Sequence, residues 1–167
     1  MSLIVVFYLP ASLADPVKVS VVKTAEGYQL LRAGEPYVVK GAGFSQGDMS
    51  SLAKFGGNSI RTWHVEEDLE KGMALLDQAQ ALGITVSLCL NIARERHGFD
   101  YNDPAVVKVQ FEQARKAVQM YKDHPALLSW IIGNELNYDY RNPRVYDAVN
   151  DIALMIHDID PYHPTTT

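Results

Sequence analysis

The stretch from Leu127 to Leu136, LLSWIIGNEL, constrains this chain more than any other. It opens as an unbroken apolar run and stops abruptly on Gly133, Asn134 and Glu135. A run of strand length that is apolar throughout, rather than alternating, is what a strand buried on both faces needs. Such strands belong to parallel sheets covered by helices. A carboxylate placed where one of them ends lies at the rim of the sheet, half out of the core. Ligands and reacting groups gather at that edge in α/β folds.

The rest of the chain supplies the alternation that a parallel sheet needs. Residues 17–36 read as an antiparallel hairpin, with turns at Thr24–Gly27 and at Gly34, Glu35 and Pro36. Strands are then expected near 37–41, 58–64, 84–92 and 126–135. Between them lie helical stripes. Asp48 can cap a short helix carrying Leu52 and Phe55, stopped by Gly56 and Gly57. Leu69, Met73, Leu76 and Ala79 form the next stripe, after the acidic start Glu66, Glu67 and Asp68. Asp103 and Pro104 are a cap and first-turn pair before Val107, Phe111, Ala114 and Val118. Asn142 and Pro143 repeat that signature before Val145, Val149, Ile152 and Ile156. The closing threonines read as the first residues of a further strand. Four strand–helix units with short connections specify an α/β fold with a parallel sheet. Residues 17–167 read as one domain.

Residues 1–16 stand apart. Leu3–Leu9 is an apolar run too short to span a bilayer, and Ser12 and Ala14 match the small-residue pattern of a secretory cleavage site. The expectation is a signal-peptide remnant on an exported protein, whether secreted, periplasmic or cell-surface. A formal net charge of -5 with scattered Lys and Arg excludes an electrostatic footprint for nucleic acid. Cys89 is the single cysteine, so no disulfide forms within the chain, and its place in an apolar strand marks it as a core thiol. The five histidines show no metal-ligand spacing, and no phosphate loop, dinucleotide fingerprint or nucleophile elbow is present. Neither a metal nor a cofactor is expected.

In a parallel sheet the strand ends share one edge. Arg61 and His64, Asn91, and Asn134 with Glu135 should therefore converge there. Trp63, Trp130 and Tyr138 could each offer a face to a sugar ring, with Trp130 better suited to the core and Tyr138 to the loop beyond Glu135.

Three segments carry a resemblance. YVVKGAGF resembles the first barrel strand of a clan A retaining glycoside hydrolase, GGNSIRTWH the second strand with its arginine, and WIIGNELN the fourth with its Asn-Glu pair. The galactosidase/glucuronidase-like and cellulase/mannanase-like groups are similar. The resemblance implies the first four βα units of a (β/α)8 TIM barrel, a half-barrel preceded by a hairpin. It implies hydrolysis of an O-glycosyl bond, with Glu135 as acid/base. Asn134 would bind the sugar 2-hydroxyl, and Arg61 would hold the nucleophile. His64, Asn91 and Tyr138 are further candidates for contact with an oligo- or polysaccharide. The chemistry fits: retaining cleavage needs a protonated carboxyl on one side and an ionised carboxylate about 5 Å away.

The family's barrel has eight strands and typically about 250 residues, and its nucleophile is a glutamate on the seventh strand. No residue here matches it. The expectation is a truncated catalytic domain, inactive alone. An open half-barrel should also expose apolar inner faces and bare edges, inviting self-association. A transglycosylase of the same fold and a non-catalytic sugar-binding or self-assembling module are the alternatives.

Overall fold

The computed structural model describes residues 15–167, so the expected leader lies largely outside the described residues. Two sheets are present. The first is antiparallel, in the order β1 (Val19–Thr24), β2 (Gly27–Arg32), β3 (Glu35–Pro36). The turn joining β2 to β3 has two residues, Ala33 and Gly34, at φ 53° and 84°. Positive φ at both central positions is the type I′ geometry whose twist suits a hairpin. This small sheet is fastened at two points. Arg32 Nη2 donates to Pro125 O at 2.9 Å, and Val19 N donates to Tyr162 O at 2.8 Å.

The second sheet is parallel and runs in chain order, β4 (Gly41–Phe44), β5 (Ser59–Thr62), β6 (Thr85–Cys89), β7 (Leu127–Ile131), β8 (Thr165–Thr166). Helices α1 (Met49–Lys54), α2 (Leu69–Ala81), α3 (Pro104–Tyr121) and α4 (Arg144–Ile159) form the crossovers. Asp48, Asp68 and Asp103 accept from backbone N–H groups one turn inside their helices, as caps should. The α4 start departs from the expected pattern. Pro143 occupies the cap position, and Asn142 Oδ1 reaches Arg144 N at 3.1 Å from one residue further out. The architecture is the expected one: successive βα units of a barrel, with an antiparallel unit ahead of them.

The strand expected at 37–41 is a correction. Residues 37–40 are irregular, and the barrel strand begins at Gly41. Asn58 explains this. Its side chain accepts from Lys40 N at 2.7 Å and donates to Val38 O at 2.9 Å, taking backbone groups that a ladder would otherwise use. The chain thereby passes from one sheet to the other.

Ile60, Val86, Leu88 and Trp130 face the helices and pack into one core with Leu76, Val118, Tyr121, Ile152 and Ile156. Gly72 is required in that layer, since a Cβ there would meet the Tyr121 hydroxyl. The opposite face is mixed, with Cys89 and Ile131 paired on it one row above its polar centre. Its central row is Gly43, Arg61, Ser87 and Ser129, paired strand to strand. Ser129 Oγ donates to Ser87 Oγ at 2.8 Å, so small polar side chains line the trough beneath the rim. Phe55, expected on an apolar stripe, closes α1 and is exposed. No described helix is long and apolar enough to cross a membrane.

Candidate active site

The rim is built by what happens after β7. Gly133 turns the chain at φ 78°, wedged so closely that a Cβ would lie within about 3 Å of Leu136 and Ile92. Glu135 follows at φ 52°, a left-handed conformation uncommon for a residue with a side chain. Buried Leu136 anchors the turn from its far side. Local strain of this kind, held by packing, is concentrated at functional sites.

Each side chain of the Asn-Glu pair is held by one arginine. Arg61 Nη2 donates to Asn134 Oδ1 at 2.7 Å. Arg96 Nη2 donates to Glu135 Oε2 at 2.8 Å, and its Nη1 donates to Glu135 O at 2.7 Å and Tyr138 O at 3.2 Å. Arg94 Nε adds a bond to Asn134 O at 2.9 Å. Arginine only donates, which fixes the remaining valences. The Asn134 amide nitrogen is left to donate outward. Glu135 Oε1 is the carboxylate oxygen that Arg96 leaves free. The Glu135 side chain is 62% exposed and the Arg96 side chain 14%, so a rooted arginine presents an open carboxylate.

Neighbouring groups frame this centre. Arg61 lies over the Trp63 ring, 4.6 Å from its centroid, and Arg96 lies over Tyr138 at 4.9 Å. The Arg61 guanidinium also lies beside Cys89. Burial pushes that thiol up, and the nearby arginine offsets part of the rise. Arg61 Nε is buried without a partner among the described residues. Glu95 is tied down elsewhere. It accepts from Arg141 N at 2.6 Å and Asn142 N at 2.9 Å, and those bonds hold its carboxyl below the ordinary range.

Of the residues expected at the edge, Arg61, Asn134, Glu135 and Tyr138 come together. Asn91 braces the loop after β5, its side chain accepting from Val65 N at 3.0 Å and donating to Val65 O at 3.2 Å. His64 is exposed beside a small pocket of about 140 Å³ that also takes in Trp63 and Phe44. The sequence reading puts Arg94, Glu95 and Arg96 at this same edge, with Glu95 a possible acid, and assigns the two arginines no role. Their signal was a charged run directly after a buried strand, closed by Gly98 in a left-handed conformation. A larger groove of about 560 Å³ lies between α3 and α4, lined by Phe111, Leu154 and Met155 among others. It lies between crossover helices, and its charged lining residues are Lys108, Arg115, Asp151 and Asp158. Among the described residues no three His, Cys, Asp or Glu side chains are grouped to hold a metal.

The fold recurs in solved glycosidases. A β-glucuronidase of Bifidobacterium dentium, complexed with coumarin-3-O-glucuronide, aligns with a TM-score of 0.66 at 22% identity, covering 90% of this chain and 26% of that one. A β-D-mannosidase from Dictyoglomus thermophilum aligns with a TM-score of 0.64 at 14% identity, covering 90% and 21%. In sequence, a probable mannan endo-1,4-beta-mannosidase C of Aspergillus terreus is 27% identical over 90 residues, 46% of this chain. The chain spans 22% of that relative's length. Residues 39–164 match the family described as glycosyl hydrolases family 2, TIM barrel domain. With the match covering most of its length, the chain belongs to the TIM barrel domain of glycosyl hydrolase family 2.

Proposed function

We propose that this chain supplies the acid/base half of a retaining site that hydrolyses O-glycosyl bonds in oligo- or polysaccharides. The observation that carries the reading is the Asn134–Glu135 turn, with Arg61 and Arg96 each fixing one side chain. Glu135 Oε1 donates a proton to the departing glycosidic oxygen, then takes one from the incoming water. The Asn134 amide donates to a sugar hydroxyl next to the reacting carbon. Arg61 keeps a second carboxylate ionised and aimed. Its buried, unpartnered Nε supports a further acidic group at that position. In this reading the nucleophile comes from residues other than those described, and the described half alone turns over little or no substrate.

A second reading concerns the edge of the sheet. Val38 and Val39 are 70% and 50% exposed just ahead of β4, an outer strand of the parallel sheet that pairs only with β5 among the described residues. They support self-association through that edge. Light scattering that gives a clean monomer at high concentration contradicts it. Export is proposed as well, supported by the apolar run Leu3–Leu9 with Ser12 and Ala14 after it. Finding the polypeptide retained inside the cell with Met1 intact argues against export.

The acid/base role is tested by hydrolysis of aryl glycosides with the protein at its full encoded length. Glu135→Gln should lower kcat/KM, which reads the bond-breaking step alone, by about 10²–10⁴-fold where the leaving group needs protonation. The loss should shrink for a dinitrophenyl leaving group, which departs without help. Equal loss on both substrates, or none, removes Glu135 from that role.

A further inference from the structure

The loop that carries Glu135 is held poorly by its own backbone. Gly133, Glu135 and Asp139 all have left-handed φ, at 78°, 52° and 54°. Between Asn134 and Arg141 the loop closes one backbone hydrogen bond of its own, Tyr138 N to Glu135 O at 3.2 Å. A segment strained at several positions keeps its shape only where its surroundings hold it. Arg61 aside, the polar contacts that reach this loop from other elements come from three consecutive residues after β6. Arg94 Nε donates to Asn134 O, and Arg96 donates to Glu135 O, Glu135 Oε2 and Tyr138 O, all at the near end. Glu95 takes the far end. One of its oxygens, Oε2, accepts from both Arg141 N at 2.6 Å and Asn142 N at 2.9 Å. Glu95 and Arg96 are neighbours in the single turn Glu95–His97, so one grip shifts with the other.

From this arrangement we propose that Glu95 is a positioning residue for Glu135. Its carboxylate pins the far end of the loop while the next residue pins the near end, and the fixed span between the two grips sets where the Glu135 carboxyl sits. In this role Glu95 supplies an acceptor oxygen rather than a proton. Both N–H groups bond the same oxygen, so a single carbonyl oxygen in that place would serve. The inference rests on the glycosidase reading, to which it adds a residue from the loop of a different strand.

Two substitutions separate this role from others. Glu95→Ala removes both bonds. Glu95→Gln keeps one oxygen of the same reach, able to accept both N–H groups, but cannot act as an acid. With the protein at its full encoded length, Glu95→Ala should lower kcat/KM for phenyl glycosides by about 10–100-fold, the order of loss from a small misplacement of the acid. For dinitrophenyl glycosides, which leave without a proton, the loss should be less than about threefold. Glu95→Gln should recover most of the phenyl glycoside rate. In a Glu135→Gln background Glu95→Ala should cost little more, because the two act as a unit. Equal loss on both leaving groups, or Glu95→Gln as impaired as Glu95→Ala, overturns the positioning role, while the leaving-group effect of Glu135→Gln keeps the glycosidase reading standing. A Glu135→Gln variant without that effect overturns both. The brace is also read without turnover, from the amide NMR spectrum of the chain. Glu95→Ala should shift the Arg141 and Asn142 N–H signals, speed their hydrogen exchange, and carry the change back to 134–138. Changes confined to Arg141 and Asn142 would show that the far grip does not set the near end, and overturn the proposal even where no glycoside is cleaved.

Discussion

Glu135 holds its position at a conformational cost. A side chain at φ 52° costs about 1 kcal/mol relative to glycine, and the exposed part of its ion pair with Arg96 returns little. Glu135→Gly should therefore keep or raise the melting temperature, by about 2–4 °C for a chain of this size, while losing saccharide binding. A melting temperature lowered by several degrees would mean that the residue is structural. Cys89 is the converse case. Its thiol is buried and pushed up by that burial, so it should resist a thiol reagent such as dithiobis-nitrobenzoate until the chain unfolds. Rapid labelling of the native protein would place it in an open cleft instead. Arg61 belongs to the same scale. The sequence expectation was an arginine at the rim, and the structure adds its three neighbours, Asn134, Trp63 and Cys89.

Among the elements, β7 and α4 are joined by a buried polar triad. Trp130 Nε1 donates to Asp160 Oδ2 at 2.6 Å, and His163 Nδ1 donates to the same carboxylate at 2.9 Å. Burial pushes the Asp160 carboxyl up, but the bonds from His163 and Trp130 outweigh it and hold it below the ordinary range. A depressed folded value makes the stabilisation full above the unfolded pKa, about 3.9, and loses it as pH falls through the folded value. Asp160→Asn should cost about 1–3 kcal/mol at neutral pH and flatten the decline in stability below pH 4, read from denaturant midpoints at each pH. An unchanged acid limb would show that other carboxylates control it. Neither Asp160 nor His163 was singled out in the sequence, because a buried polar pair on a connecting loop has no periodicity. The strands and helices themselves were legible, since apolar runs and Asp caps are local signals: Asp48 and Asp103 cap their helices as read, and Asp68, read only as part of an acidic helix start, is a cap as well. The start of β4 was misplaced because its cause is a side chain 18 residues away, Asn58 on Lys40 N. The Arg96 clamp escaped for the same reason, with 39 residues separating it from Glu135.

For the molecule as a whole, five parallel strands in sequential order bring loops from β4, β5, β6 and β7 to one rim. The rim holds the arginine-framed Asn-Glu pair, and the trough below it carries polar Ser87 and Ser129 in its central row. A polar trough lowers the drive for two copies to close on one another through their inner faces. Association should instead run through the β4 edge with Val38 and Val39. Replacing both by lysine should abolish any dimer seen in sedimentation, and a dimer that survives would move the interface elsewhere. The α3/α4 groove offers a competing location for ligands on volume alone. A two-dimensional amide NMR titration of the chain with β-1,4-linked tetrasaccharides decides between the two. The account predicts saturable shifts at 61–63, 94–96 and 133–138. Shifts confined to α3 and α4, with the Asn134–Glu135 turn unmoved, would contradict it.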